Sequence, residues 1–277
     1  MRADPTPADA VLGPSRHRER EILEALGETG SGRILDLSRR LGVTEETIRR
    51  NVKRLEDRGL VTKVHGGVVL REWVAEPSFA QRYAENPEAK RRIGGGLAAI
   101  IPDGASLFLD VGSTTAYVAQ ALRQHRDLLV VTNSLLVAQT LVGGTGNRVF
   151  MAGGELRAHD GGAFGAEALA FVRQFRVEFA VLSVAALDAG SGFLLQDLRE
   201  AEFSREIIRC ARRSIVAADA SKFGRSAPIR IAEPDAFDTL VTDAAPPAAL
   251  SRLLDSAGVT TVVVGDETTR QGLAQQA

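Results

Sequence analysis

The 277-residue chain has one cysteine, Cys210, so an intramolecular disulfide framework is excluded, and the lone thiol fits a buried side chain in a reducing cytoplasm. No apolar run approaches the roughly 18–20 residues that a membrane span requires. The opening stretch MRADPTPADAVLGPS lacks a signal-peptide core and reads as a flexible tail over residues 1–15. The four histidines, His17, His65, His125 and His159, show no metal-ligand spacing. No G-x-S-x-G elbow is present, and no G-x-G-x-x-G follows the first expected strand of the larger segment, which argues against serine hydrolysis and dinucleotide binding. Neither a metal, a cofactor nor a membrane partner is expected.

What is present divides unevenly. Overall charge is close to neutral, yet residues 16–72 carry a net charge of +3. In that basic segment, HREREILEAL places Ile22, Leu23 and Leu26 on one helical stripe. After the glycine-punctuated GETGSG, Asp36 is placed to cap a second helix that Gly42 ends. In VTEETIRRNVKRLEDRGL, Thr44 is the expected N-cap, and Ile48, Val52 and Leu55 fall at i, i+4 and i+7. The opposite face then shows Thr47, Arg49, Arg50, Lys53 and Arg54 on a helix narrow enough for the DNA major groove, with Arg49 and Arg50 the base-reading candidates. Gly59 stops this helix. LVTKVHGGVVL then reads as a two-stranded wing, with Lys63 and His65 set to touch phosphates or the minor groove.

These residues resemble the DeoR family of bacterial transcriptional regulators: Arg18, Ile22 and Leu26, then T-x-x-T-I-R-R at 44–50, then G-L-V and H-G-G at 59–67. The family usually has Asp after the arginine pair; here Asn51 stands there, able to read adenine itself. The resemblance implies binding to a double-stranded DNA operator. Residues 71–90 carry two prolines and read as a linker packing loosely, anchored by Trp73 and Phe79.

Residues 91–277 alternate short Val-, Ile- and Leu-rich runs (SLFLDV, LLVVTN, RVFMAG, EFAVLSVAA, SIVAAD, TLVTD, TTVVVG) with helical stretches. Continuous hydrophobicity predicts strands buried on both faces, hence a Rossmann-like parallel sheet within an α/β class. Gly94–Gly96 fall in the helix before the first of these strands, where each costs about 1 kcal/mol relative to alanine and leaves room for a kink. Ligands of such sheets collect at the carboxyl ends of the strands. Those ends carry Gly112-Ser113-Thr114-Thr115, Thr132-Asn133-Ser134, Gly153-Gly154-Glu155 and the run from Asp219 to Gly224 with Lys222, a set suited to an anion.

The resemblance extends over this segment through G-[ST]-T-T, T-N, G-G-E, D-x-S-K-F-G and Thr242-Asp243. It implies a fold similar to ribose-5-phosphate isomerase, a phosphorylated sugar-like effector, and Glu200 as a further lining residue. Arg157 is placed to meet a phosphate or water. Where those isomerases carry an acidic loop, Ser183, Val184, Ala185 and Ala186 stand instead, so proton-transfer machinery is expected to be missing. The reading that results is a repressor of carbohydrate-metabolism genes, not an enzyme, acting as a homodimer or higher homo-oligomer whose effector shifts the DNA-reading domains. A sugar-phosphate isomerase tethered to DNA and a metabolite-blind DNA binder are the competing readings.

Overall fold

A computed structural model describes residues 14–27, 31–58, 60–64, 67–70 and 77–265, in two compact units that divide after Glu76. In the first unit α1 (Pro14–Gly27) already includes residues 14 and 15, which were expected in the flexible tail; the rest of that tail lies outside the described residues. The strand β1 (Ser31–Arg33) overlaps the end of the expected glycine-punctuated break GETGSG. Three residues hold no alternation to read, and the strand exists because it pairs with a distant partner, the wing strand β3.

The helix α2 (Ile34–Leu41) is preceded by Arg33, which makes no side-chain cap bond. Asp36, expected as the cap, lies in the first turn, where its charge complements the helix N-terminus. Gly42 closes the helix at φ 63°, as expected. In α3 (Glu45–Asp57), the Thr44 hydroxyl caps the start by accepting the Thr47 N–H at 3.2 Å. Ile48, Val52 and Leu55 are fully buried against Ile22 and Leu26. The strands β2 (Val61–Val64) and β3 (Gly67–Leu70) form the wing, antiparallel and in register from Val61–Leu70 to Val64–Gly67. Gly59 and His65 lie outside the described residues.

The second unit starts earlier than the composition suggested. Residues 77–90 do not pack loosely: α4 (Phe79–Ala84) opens with a reciprocal capping box between Ser78 and Gln81, and α5 (Pro87–Ile100) follows after a left-handed Asn86. Their tertiary contacts override a proline-containing, highly charged sequence: the rings of Phe79, Tyr83 and Tyr117 stack in series, and Arg82 and Lys90 are buried. Residues 71–76, with Trp73, lie outside the described residues.

The glycine triplet runs through α5 without a break, and packing explains two of its members. A Cβ at Gly94 would stand 2.8 Å from the Tyr117 carbonyl oxygen, and one at Gly96 would overlap Val264, whereas Gly95 faces open space. Gly95→Ala is therefore expected to stabilise the fold by about 1 kcal/mol through helix propensity. Gly94→Ala should destabilise it by about 1–3 kcal/mol through overpacking, the two signs being read from denaturant midpoints.

All seven expected apolar runs become strands of one parallel sheet: β4 (Ser106–Leu109), β5 (Leu129–Thr132), β6 (Arg148–Met151), β7 (Val177–Ser183), β10 (Ala211–Ala217), β12 (Thr239–Thr242) and β13 (Thr260–Val263). Their order is β13-β12-β10-β7-β4-β5-β6. Side chains alternate between two cores: Leu107 and Leu109 meet α5 residues Ile93 and Leu97, while Phe108 joins Ile207 on the opposite face. Chain order runs outward from β4 through β5 and β6, then restarts at β7 on the other side of β4. The β4–β7 boundary is thus a topological switch point, where open α/β sheets form their crevice. A small antiparallel sheet of β8 (Ala186–Asp188), β9 (Gly192–Leu195) and β11 (Ile229–Arg230) was not expected.

Candidate functional site

The basic face of α3 is sorted by its ion pairs. Arg49 is held by Glu45 at 2.6 Å, one turn back. Arg50 and Lys53 are exposed and have no ion-pair partner among the described residues; Arg54 is exposed as well. The Thr47 hydroxyl lies 2.9 Å from that of Thr44. On the wing, Lys63 bonds Glu56 through both its ammonium, at 3.0 Å, and its backbone N–H, and these bonds lower the Glu56 pKa. Asn51 is not available to read a base. It is 3 % exposed, and its Nδ2 donates to the Thr47 carbonyl at 2.8 Å, a back-bond within the helix, while its buried Oδ1 has no hydrogen-bond partner among the described residues.

In the second unit, the predicted loops all emerge from the carboxyl edge of the parallel sheet, but they do different work. Gly112 precedes α6 (Ser113–Ala121) and supplies no side-chain cap. Ser113 and Thr114 are buried residues, and among the described residues no hydrogen-bond partner is found for their hydroxyls. A buried helix start with uncapped amides is an anion site in form. Thr115 is different: its hydroxyl donates to the carbonyl oxygens of Asp110 and Gly112 at 2.9 and 3.1 Å, fixing the loop. A Cβ on Gly112 would overlap the Ser183 hydroxyl, so the loop lies directly against the end of β7.

Thr132, Asn133 and Ser134 are scaffold. Thr132 donates to the Leu109 carbonyl at 2.6 Å, and Ser134 caps α7 (Leu135–Leu141). Asn133 joins three loops, accepting from the Val111 N–H at 3.0 Å and donating to the Ala163 carbonyl at 3.2 Å. Gly153, Gly154 and Glu155 lie exposed on the rim. The loop beyond them turns back and delivers Arg157 to the carboxylates of Asp160 and Glu200, its guanidinium 4.4 Å over the Phe164 ring. Arg157 is thus held by carboxylates while its side chain stays 20% exposed. After β10, Asp219 accepts from the Ser221 N–H at 3.0 Å, and Asp243 accepts from Ala220 at 2.8 Å, shaping the turn that carries the buried Lys222.

Three groups near this edge had no local signal strong enough to single them out. Asp110, the one charged residue of SLFLDV, follows β4 directly and is buried; its carboxyl accepts the Ser183 N–H at 3.2 Å, and burial, with Glu200 nearby, raises its pKa. Asn86 donates to Asp219 at 3.1 Å. Lys90 donates to the Arg82 and Glu85 carbonyl oxygens at the end of α4. The latter two sat in the segment expected to be a loose linker.

Burial lowers the Lys90 pKa to about 8. Above that pH the unfolded chain retains the proton longer than the fold does, so stability should rise with pH from about 8 toward the ordinary lysine value. Lys90→Met should lack this rise in urea titrations.

Residues 18–73 match the DeoR-like helix-turn-helix domain, and residues 85–244 match the DeoR C terminal sensor domain. The chain belongs to the DeoR family. It is a DNA-binding transcriptional regulator. The DeoR-family relatives include the HTH-type transcriptional repressor CsqR of Escherichia coli K12, 36% identical, with 89% of this chain and 94% of the relative covered. The glycerol-3-phosphate regulon repressor of the same organism is also 36% identical, covering 86% of this chain and 94% of its own. Among solved structures, a ribose 5-phosphate isomerase of Methanocaldococcus jannaschii covers 50% of this chain and 55% of its own at 12% identity and a TM-score of 0.36.

Proposed function

We propose that this DeoR-family protein represses carbohydrate-metabolism genes and releases its operator when a small phosphorylated carbohydrate binds the second unit. The observation that carries the reading is the buried, uncapped start of α6 at Gly112–Thr115, beside the sheet's switch point and on the same edge as Lys222. The phosphate is assigned to the amides and hydroxyls of Ser113 and Thr114, with Lys222 supplying positive charge. Thr132, Asn133, Thr115 and Ser134 hold the loops, and Gly153, Gly154 and Glu155 form the outer rim. Glu200, tied by Arg157, faces the ligand's remainder. Thr44, Thr47, Arg50, Lys53 and Arg54 present the DNA-reading face, with Arg49 and Lys63 on its margin; His65, which lies outside the described residues, is kept as a further candidate contact. A single winged unit covers little DNA, so two or more copies read a symmetric operator.

The test is a thermal-shift screen of phosphorylated sugars and polyols followed by operator-release titrations, because a ligand held only by the folded state raises stability by mass action. Absence of any shift or release would overturn the sensor reading. One observation favours a second reading. Asp110 and Glu200 bring two carboxyls to one cavity although the stretch at 183–187 has none, so isomerase turnover is worth assaying. The sensor reading expects none; catalysis abolished by Lys222→Ala would replace it with an enzyme.

A further inference from the structure

Two acids of the winged unit each hold a basic side chain of its DNA-reading region. At the start of α3, the Glu45 carboxylate takes the Arg49 guanidinium at 2.6 Å, one turn along the helix. In the last turn, Glu56 reaches the wing: Oε1 accepts the Lys63 N–H at 3.1 Å, and Oε2 takes the Lys63 ammonium at 3.0 Å. Between them, Arg50 and Lys53 are exposed and have no ion-pair partner among the described residues. The cations are thus divided into occupied and open ones. Stability is a weak reason for the two pairs, because their four side chains are between 37% and 56% exposed, and an ion pair so close to water adds little to a fold. Glu19 and Arg58 make the contrast: Glu19 is buried, and its bond ties α1 to the residue that follows α3. A carboxylate and a phosphate oxygen offer a guanidinium or an ammonium the same charge-assisted bond, so Glu45 and Glu56 stand where a DNA backbone would compete with them.

We infer that Glu45 and Glu56 are a built-in brake on DNA binding: they compete with backbone phosphates for Arg49 and Lys63 and keep the affinity of one winged unit low for DNA of any sequence. The inference rests on α3 and the wing facing the DNA. A cation that must first leave a carboxylate gains little by moving to a phosphate, and its acid then stays behind to repel the duplex. Sequence-independent attraction is left to the open cations, chiefly Arg50 and Lys53. Tight binding then depends on base contacts and on several units engaging one duplex together, which is how a regulator avoids being spread over DNA that carries no operator.

Glu45→Gln and Glu56→Gln test this with almost no change of shape. In Glu56→Gln the amide oxygen still accepts the Lys63 N–H, so the wing keeps its anchor and only the ammonium is released. The measurement is an anisotropy titration of the full chain with a mixed-sequence DNA duplex at several salt concentrations. Each variant should bind about fivefold more tightly at physiological salt, and its plot of log affinity against log salt should steepen by about 0.9, the value of one added phosphate contact. Glu46 lies on the same helix with no ion-pair partner among the described residues. Glu46→Gln therefore removes the same charge without releasing a cation, and its slope should stay that of the wild type. Combining Glu56→Gln with Lys63→Ala should return the slope to that value too. Tighter binding with a steeper slope is something a partly unfolded variant would not show. If Glu45→Gln and Glu56→Gln left affinity and slope as they were while Lys53→Ala weakened binding, the inference alone would fall. A slope that steepened equally in Glu46→Gln would refute it as well, since the effect would then be one of overall charge. If Lys53→Ala also left binding intact, the assignment of α3 to the DNA would fall and take the inference with it.

Discussion

Arg157→Ala should lower the stability of the second unit by about 3–5 kcal/mol, the cost of leaving buried charge without its partner. The guanidinium bonds Asp160 through Nε at 3.1 Å and again through Nη2, reaches Glu200 with the same Nη2, and lies over Phe164. Asp160 and Glu200 are each only 9 % exposed. With the arginine gone, Asp160 and Glu200 lose the cation they share, and Glu200 is left in the same cavity as the buried Asp110. Burial pushes the Asp160 carboxyl up, yet the Arg157 bond and the Gly162 N–H outweigh it and hold the pKa below the ordinary value.

The pH dependence follows with a definite sign. In the wild type, the stability supplied by a depressed carboxylate is present at neutral pH and lost as pH falls through its folded-state pKa. In Arg157→Ala the same carboxyl favours its protonated form, so the gap between variant and wild type should be largest near neutrality and narrow on acidification. Urea titrations at neutral and mildly acidic pH measure it. A gap that stayed constant, or a variant as stable as the wild type, would show that the cluster is not charge-coupled. Arg157→Lys keeps the charge but loses the fork that serves two carboxylates, and should fall between them.

The second large effect concerns DNA. Arg50→Ala is expected to weaken binding to the protein's own operator by about 1–3 kcal/mol, roughly 5–150-fold, and to relax base preference, because an arginine on this face makes paired bonds to a guanine edge. Arg50 is the better candidate of the two adjacent arginines. It is exposed with no ion-pair partner among the described residues, while Arg49 must first leave Glu45. Arg49→Ala should therefore cost less. Lys53→Ala is expected to weaken all sequences alike and to lower the slope of affinity against salt by about one phosphate contact. Anisotropy titrations at two salt concentrations separate the three. Full affinity and unchanged base preference in Arg50→Ala would mean that another residue of α3 reads the operator.

Much of the architecture was legible because its cause is local. The strands of the parallel sheet are buried on both faces, so each reads as an unbroken apolar run, and every such run became a strand. Thr44, Ile48, Val52 and Leu55 announce α3 through a cap and a 3.6-residue stripe that neighbouring residues suffice to set. β1 and β11 gave no such signal, since strands of two or three residues exist only by pairing with partners far along the chain, and β8 and β9, a tight hairpin turning between Asp188 and Gly192, are too short to show an alternation. The segment 77–90 read as linker for a similar reason. Its helices depend on contacts with Tyr117 and Asp219 from distant positions.

The candidate site divides along the same line. Residue types that bind anions at strand ends are a property of the chain itself, and so Gly112–Thr115 and Lys222 could be named from order and composition. Only the tertiary structure decided what each side chain is free to do. It spent Asn133 on two loops, tied Arg157 to Glu200 as well as to Asp160, and buried Asp110 beside Ser183 at the switch point. The physical reason is that a polar group's function depends on the hydrogen bonds left over after folding. That remainder is set by neighbours brought from elsewhere in the chain, not by the sequence on either side.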